Sequence, residues 1–186
     1  KAFSSLVNKP ERSIILLFPT AEEDGLIGSY FYTEHPVFPI DKTVACFNND
    51  LLLPIGRMKD VMITGYGQSE LDDYVRKAAA DQDRYVTGDP NSYTGMYFRS
   101  DHFPFAKKGV PAMFARGNTD SRQFGKEWAA EQEKDYIKNR YHKPSDNYEP
   151  EKWNFEGIEE DAELAFTVGY ELSTSDVIPG WKSGSE

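Results

Sequence analysis

Apolar residues fall along this chain in short unbroken runs separated by polar clusters, rather than in long alternations of in and out. The run in "RSIILLFP" (12–19) predicts a buried strand, because a strand covered on both faces has no polar side to present. "KTVACFNND" (42–50), "KDVMITGYG" (59–67) and "VPAMFARG" (110–117) predict three more. Between them the apolar positions recur at helical spacing. "GLIGSYFYTEH" (25–35) predicts a helix that Pro36 ends. "SELDDYVRKAAADQDR" (69–84) predicts another, with Leu71, Val75, Ala78 and Ala79 on one face and Ser69 and Asp72 placed as in a capping box. Further helices are expected in "KAFSSLVN", around 122–138, and near 155–173, where Phe155, Ile158, Ala162, Ala165 and Leu172 make an apolar stripe. Residues 90–109, rich in turn formers and aromatics, predict a long loop, and 175–186 a flexible tail. Alternating strands and helices predict the α/β class: a three-layer α/β/α sandwich around a mostly parallel, mixed sheet, in one domain spanning 1–186.

Composition narrows the functional classes. The chain has 186 residues and a formal net charge of −10. Its acidity disfavours nucleic acid or an anionic membrane surface as the main partner and suits a cation site. No apolar stretch is long enough to cross a bilayer. Cys46 is the one cysteine, so no internal disulfide and no thiolate-rich metal site can form, and the cellular compartment stays open. Inside an apolar strand, Cys46 reads as a small core residue.

The chemistry gathers where the expected strands run out. "RSIILLFP" leads into "TAEEDGLIGS", with Glu22 and Glu23 side by side; "TVACFNN" leads into Asp50; "RSDHFPF" holds Asp101 and His102; "RYHKPSDN" holds Tyr141 and His142. Each has an ordinary reading when taken alone. A Glu-Glu pair is usually a solvated turn, Asp50 can cap a turn, "SDHFPF" can be a turn packed by Phe103 and Phe105, and a lone histidine is most often a surface residue. Taken together, carboxylates and a histidine converging on one sheet edge are donors that zinc accepts. An adjacent free carboxylate could then serve as general base on a metal-bound water.

In that order, "TAEEDGLIGS", "ACFNND", "RSDHFPFAKKGVPA" and "YHKPSDN" closely resemble the co-catalytic zinc exopeptidases of metallopeptidase family 28, over nearly the whole chain. That family includes bacterial leucyl aminopeptidases, glutamate carboxypeptidase and the related glutaminyl cyclases; the "TAEE" wording favours the peptidases. The resemblance implies a zinc-dependent aminopeptidase acting on peptides, with two zincs in a complete site. Glu22 would be the general base, Glu23 and His142 ligands of one zinc, Asp50 a ligand of the second, and Tyr141 a hydroxyl that stabilises the oxyanion in some members. Asp101 and His102 would line and support the site. It also implies a periplasmic or secreted location.

The resemblance carries a departure. The family pattern includes a His-x-Asp motif and a bridging Asp ahead of the helix that precedes "TAEE", and this chain starts in that helix. The expectation is therefore the C-terminal part of a catalytic domain, inactive or weak alone, with an incomplete metal site. A sheet incomplete at the N-terminus would leave an edge or face open to self-association. A metal-free binding or structural module of the same fold, or a carboxypeptidase or glutaminyl cyclase, are the alternative readings. Tyr93, Tyr97, Phe98, Phe103 and Phe105 would either wall an apolar side-chain pocket or fill the core.

Overall fold

The computed structural model describes residues 1–185. The sheet has four strands, β1 (Cys46–Asn48), β2 (Asp60–Thr64), β3 (Tyr85–Gly88) and β4 (Ala112–Arg116), in the order β1-β4-β2-β3. β1 runs parallel to β4 and β2 parallel to β3, while β2 and β4 are antiparallel, so the sheet is open and mixed. The helices are α1 (Ala2–Ser5), α2 (Ile27–Glu34), α3 (Leu71–Asp81), α4 (Phe103–Lys107), α5 (Gly125–Asn139) and α6 (Glu156–Thr174).

The two central strands are buried along their whole length, which is why "VMI" and "AMFA" carry no polar alternation. Successive side chains point to opposite faces, so β4 feeds two cores. Val61 and Ile63 of β2 and Met113 and Ala115 of β4 pack with Leu71, Val75, Ala78 and Ala79 of α3 and Leu164, Val168 and Leu172 of α6. On the other side Ala112 packs with Phe105 and Val110, joined by Tyr32 of α2, Ile40 and Cys46. Burial and the nearby Asp101 charge push the Cys46 thiol up to about 12, so it stays protonated and behaves as the small core residue expected. Truncating Leu164, which has no exposed surface, should cost about 2–5 kcal/mol.

Buried polar groups tie the elements together. Arg84 Nη2 donates to Asp161 Oδ1 at 2.8 Å, with both side chains almost fully buried. Asp60 accepts the backbone N–H groups of Thr119 and Asp120 and the Thr119 hydroxyl. Each buried carboxylate is thus paired or multiply hydrogen-bonded, the condition under which burial is tolerated.

Several expectations need correction. Residues 12–19 form no strand. Residues 13–19 make no backbone hydrogen bond among the described residues, and Leu16 and Phe18 are 74% and 88% exposed. The apolar run reports a tendency to be buried, but a strand also needs a ladder partner, and none lies beside it. The strand at 85–88 went unforeseen, and the loop at 90–109 contains α4 and two short 3-10 turns. The helix expected over "KAFSSLVN" is confined to α1. The capping box at 69–72 does not form: Asp72 Oδ2 instead accepts from the Gly67 N–H and the Lys182 ammonium, each at 2.8 Å. In the segment expected to be a flexible tail, Trp181 Nε1 donates to Gly109 O at 2.9 Å and the Gly180 N–H to Glu70 Oε2 at 2.8 Å.

Candidate active site

"TAEEDGLIGS" folds into a tight turn ahead of α2. The carbonyls of Thr20, Ala21 and Glu22 accept the N–H groups of Gly28, Ile27, and Gly25 with Leu26. That closure needs Gly28, since a Cβ there would lie 2.4 Å from Thr20 O. It also forces Ala21 and Leu26 into the left-handed region, at φ +55° and +60°. Leu51, just after Asp50, and His142 itself adopt it too, at φ +46° and +56°. Of the five non-glycine residues with positive φ among the described residues, four therefore sit in the expected site or next to it, and Asp83 does not. Such strain costs energy and concentrates where a side chain must be aimed.

The turn and the loop after α5 bring Glu23 and His142 together, with Oε1 and Nε2 2.8 Å apart and both side chains at least half exposed. The Tyr141 ring stacks on the His142 ring with centroids 3.8 Å apart. Glu22 faces a field of negative charge. Partial burial, and then the charges of Glu23, Asp50 and Asp101, raise its proton affinity above the ordinary glutamate value, and His142 opposes them. The Tyr141 hydroxyl is likewise held protonated, by burial and by Glu23, Asp50 and Glu22, with Arg99 opposing. Glu22, Glu23, Asp50, Asp101, Tyr141 and His142 therefore feel one another's charge, while the direct contacts among them are Glu23 with His142 and Tyr141 with His142.

Asp50 arrives from the sheet. β1 and β4 are parallel with Cys46 opposite Ala112 and Asn48 opposite Phe114, so extending the register sets Asp50 beside Arg116 at the carboxyl ends of both strands. Open α/β sheets place ligands at such ends. Ser100 Oγ donates to Asp50 Oδ2 at 2.6 Å, and Asn48 Nδ2 donates to Ser100 Oγ at 2.7 Å. Arg116 Nη1 donates to the carbonyls of Asp50 and Leu51. Sequence reasoning missed Ser100 and Arg116. Neither belongs to a catalytic pattern, though Ser100 adjoins Asp101 and Arg116 ends an otherwise apolar strand.

Asp101 and His102 lie behind this edge. Asp101 has its proton affinity raised by burial and by Asp50, with the Ser29 hydroxyl opposing. His102 is fully buried against Tyr97 and Phe114, with neither ring nitrogen hydrogen-bonded, and burial lowers its pKa to about 4. It is a neutral imidazole in the core. The aromatic loop divides: Tyr97 and Phe105 are buried, while Tyr93 and Phe98 face outward. Two surface clefts, of about 320 and 210 Å³, lie elsewhere, lined by residues such as Phe124 and Trp128 or Tyr136 and Trp153.

Zinc accepts imidazole nitrogen and carboxylate oxygen, so the types of donor suit it. The number does not: among the described residues no group of three or more His, Cys, Asp or Glu side chains is placed to hold a metal ion. Glu23 and His142 offer two donors where a catalytic zinc takes three.

The comparisons agree with the fold. The family model described as Peptidase family M28 matches residues 1–166, and the chain belongs to that family. A search of curated proteins finds no match. Among solved structures, the Legionella pneumophila LapA aminopeptidase superposes with a TM-score of 0.66 at 21% identity, over 92% of this chain and 42% of that one. BSAP, a zinc aminopeptidase from Bacillus subtilis, gives 0.59 at 22% identity, over 85% and 35%. The aminopeptidase from Aneurinibacillus sp. strain AM-1 gives 0.57 at 20% identity, over 86% and 33%. The chain thus spans between a third and a little over two fifths of the length of these proteins.

Proposed function

We propose that this chain carries the base, the oxyanion donor and part of the metal-ligand set of a zinc-dependent exopeptidase, an aminopeptidase hydrolysing the N-terminal peptide bond. The observation that carries the reading is the meeting of Glu23 and His142 beside a Glu22 of raised proton affinity. Membership of Peptidase family M28 supports it. A general base works best when its affinity for a proton is poised between taking and giving. Glu22 takes a proton from the attacking water, holds it, and delivers it to the leaving amine. Tyr141, kept protonated by its surroundings, donates a hydrogen bond to the oxygen that gains negative charge. Glu23 and His142 are the donors this chain offers to one zinc, and Asp50, steadied by Ser100, the donor it offers to a second. With so few donors, the chain by itself binds zinc weakly and turns over slowly. Phe98, which is exposed, is the proposed contact for an apolar substrate side chain.

We also propose that the chain is the C-terminal part of one catalytic domain, and that the unpaired segment 13–19 covers itself by pairing with another chain. Export to the periplasm or medium remains a proposal from the family alone. The lack of any three-donor group among the described residues favours a second reading, a metal-free binding module of the same fold. Zinc content separates the two. Free-amine, blocked and N-terminal glutamine peptides separate aminopeptidase from carboxypeptidase and cyclase chemistry. Glu22→Gln tests the mechanism: it should cut hydrolysis by roughly 10²–10⁴-fold and leave zinc binding intact, and turnover close to that of the unsubstituted protein would overturn the role of Glu22.

A further inference from the structure

The carbonyls of two consecutive residues, Asp50 and Leu51, converge on one buried guanidinium. Arg116 ends β4 and is 3% exposed; its Nη1 donates to Leu51 O at 2.6 Å and to Asp50 O at 3.3 Å. We infer that Arg116 is a positioning residue for the reaction: it clamps the turn after β1 so that the Asp50 carboxylate is held against Ser100 and toward Glu22. The inference rests on the peptidase reading of the site.

The geometry argues for a clamp and against a simple buried ion pair. Among the described residues the carboxylate within salt-bridge distance of Arg116 is Glu133 of α5, at 3.7 Å from Nη2, while Asp50, Asp161 and Asp89 act on its charge from further away. Its Nε is buried without a partner. The closest bond it makes goes to a neutral carbonyl, so what the contact secures is direction. That carbonyl belongs to Leu51, whose φ of +46° a leucine avoids when free to relax. Releasing Leu51 turns the peptide that follows Asp50 and with it the Asp50 side chain. On the far side, Asp50 Oδ2 accepts the Ser100 hydroxyl at 2.6 Å. The carboxylate is thus fixed from behind through its own backbone and from the side through Ser100. The guanidinium is braced in turn by the Phe114 ring, whose centroid lies 5.0 Å from Cζ. Both carbonyls are met by the one nitrogen Nη1; a lysine at this position carries the charge, but its ammonium ends one bond short of where Nη1 sits and lacks the flat guanidinium that rests on the Phe114 ring.

The test uses Arg116→Lys, Arg116→Ala and, as a control that leaves the carbonyl bonds in place, Glu133→Gln. Kinetics with an aminoacyl-nitroanilide are normalised to folded protein, and the Arg116→Lys crystal structure is determined. Both Arg116 variants should lose roughly tenfold to hundredfold in kcat with KM little changed, as for residues that orient a reacting group. Guanidinium ion at non-denaturing concentration should restore part of the Arg116→Ala loss, and Glu133→Gln should keep its kcat. In the Arg116→Lys structure Leu51 should leave positive φ and Asp50 should part from Ser100. Reduced melting temperature with unchanged kcat per folded molecule would overturn the inference and leave Arg116 a structural residue. So would a variant structure with Leu51 and Asp50 in place. If the unsubstituted protein, in the form the cell makes it, hydrolyses no peptide, the peptidase reading fails and the variant structure alone decides whether Arg116 sets the direction of Asp50.

Discussion

His142 Nε2 and Glu23 Oε1 lie 2.8 Å apart, brought together by a strained turn before α2 and a strained residue after α5. Neither side chain is buried by the core, so packing does not explain the encounter. The two atoms are within hydrogen-bonding distance of each other, and under the proposed function both serve one zinc. His142→Ala should therefore weaken zinc binding by more than tenfold, as read by calorimetric titration, with little change in melting temperature. Equal zinc affinity in the variant would remove His142 from the metal site.

Glu22 gives the clearest kinetic prediction. Glu22→Gln keeps the shape of the side chain and removes the base, so turnover should fall by roughly 10²–10⁴-fold. The fold should be unaffected, because Glu22 is a turn residue whose backbone carbonyl, and not its carboxylate, closes the turn.

The charge around Glu22 should show in its pH profile. Glu22 acts as a base only when ionised, so the acidic limb of kcat/KM follows its pKa, which burial raises first and then Glu23, Asp50 and Asp101. Asp101→Asn removes one of those negative charges, favours the ionised form of Glu22 and moves the limb to lower pH. A limb that stays put or rises would show that Asp101 does not act on Glu22.

His102 predicts a stability effect of definite sign. Its folded pKa of about 4 lies below the ordinary value of 6.5. Between those values the unfolded chain binds a proton that the folded one refuses, so stability is lost as pH falls from about 6.5 to about 4, by up to roughly 3 kcal/mol. Denaturant unfolding at several pH values should show that loss, and His102→Leu should remove it. The same slope in both proteins would assign the loss to other groups.

The segment 13–19 should drive association. Leu16 and Phe18 are largely exposed on a stretch with no backbone partner. Leu16→Lys combined with Phe18→Lys should convert a concentration-dependent oligomer to a monomer in sedimentation experiments without loss of melting temperature. A monomer before substitution would contradict the pairing proposal.

What the sequence revealed and what it hid follow one physical division. Helical faces such as Leu71, Val75 and Ala78 were legible because burial by periodicity is a local property. The central strands were legible because both of their faces are covered. Partnership is not local, so the equally apolar residues 14–18 look the same in sequence as the buried β2 and β4. The strand at Tyr85–Gly88 is short and only partly buried, and leaves little pattern. Among the proposed site residues, Glu22, Glu23, Asp50, Tyr141 and His142 stood out because their residue types suit the proposed chemistry and their motifs come in order. Ser100 and Arg116 did not, since hydrogen-bonding to the side chain or backbone of Asp50 leaves no spacing signature.

The most direct test is zinc stoichiometry measured together with aminoacyl-nitroanilide hydrolysis, on the isolated chain and on the protein as the cell makes it. The account predicts weak zinc binding by the chain through Glu23 and His142. In the cellular protein it predicts bound zinc and a turnover that a chelator abolishes, added zinc restores and Glu22→Gln sharply lowers. A cellular protein that holds no zinc and hydrolyses no peptide would contradict the peptidase assignment and leave the Glu22–Glu23 turn to a binding role.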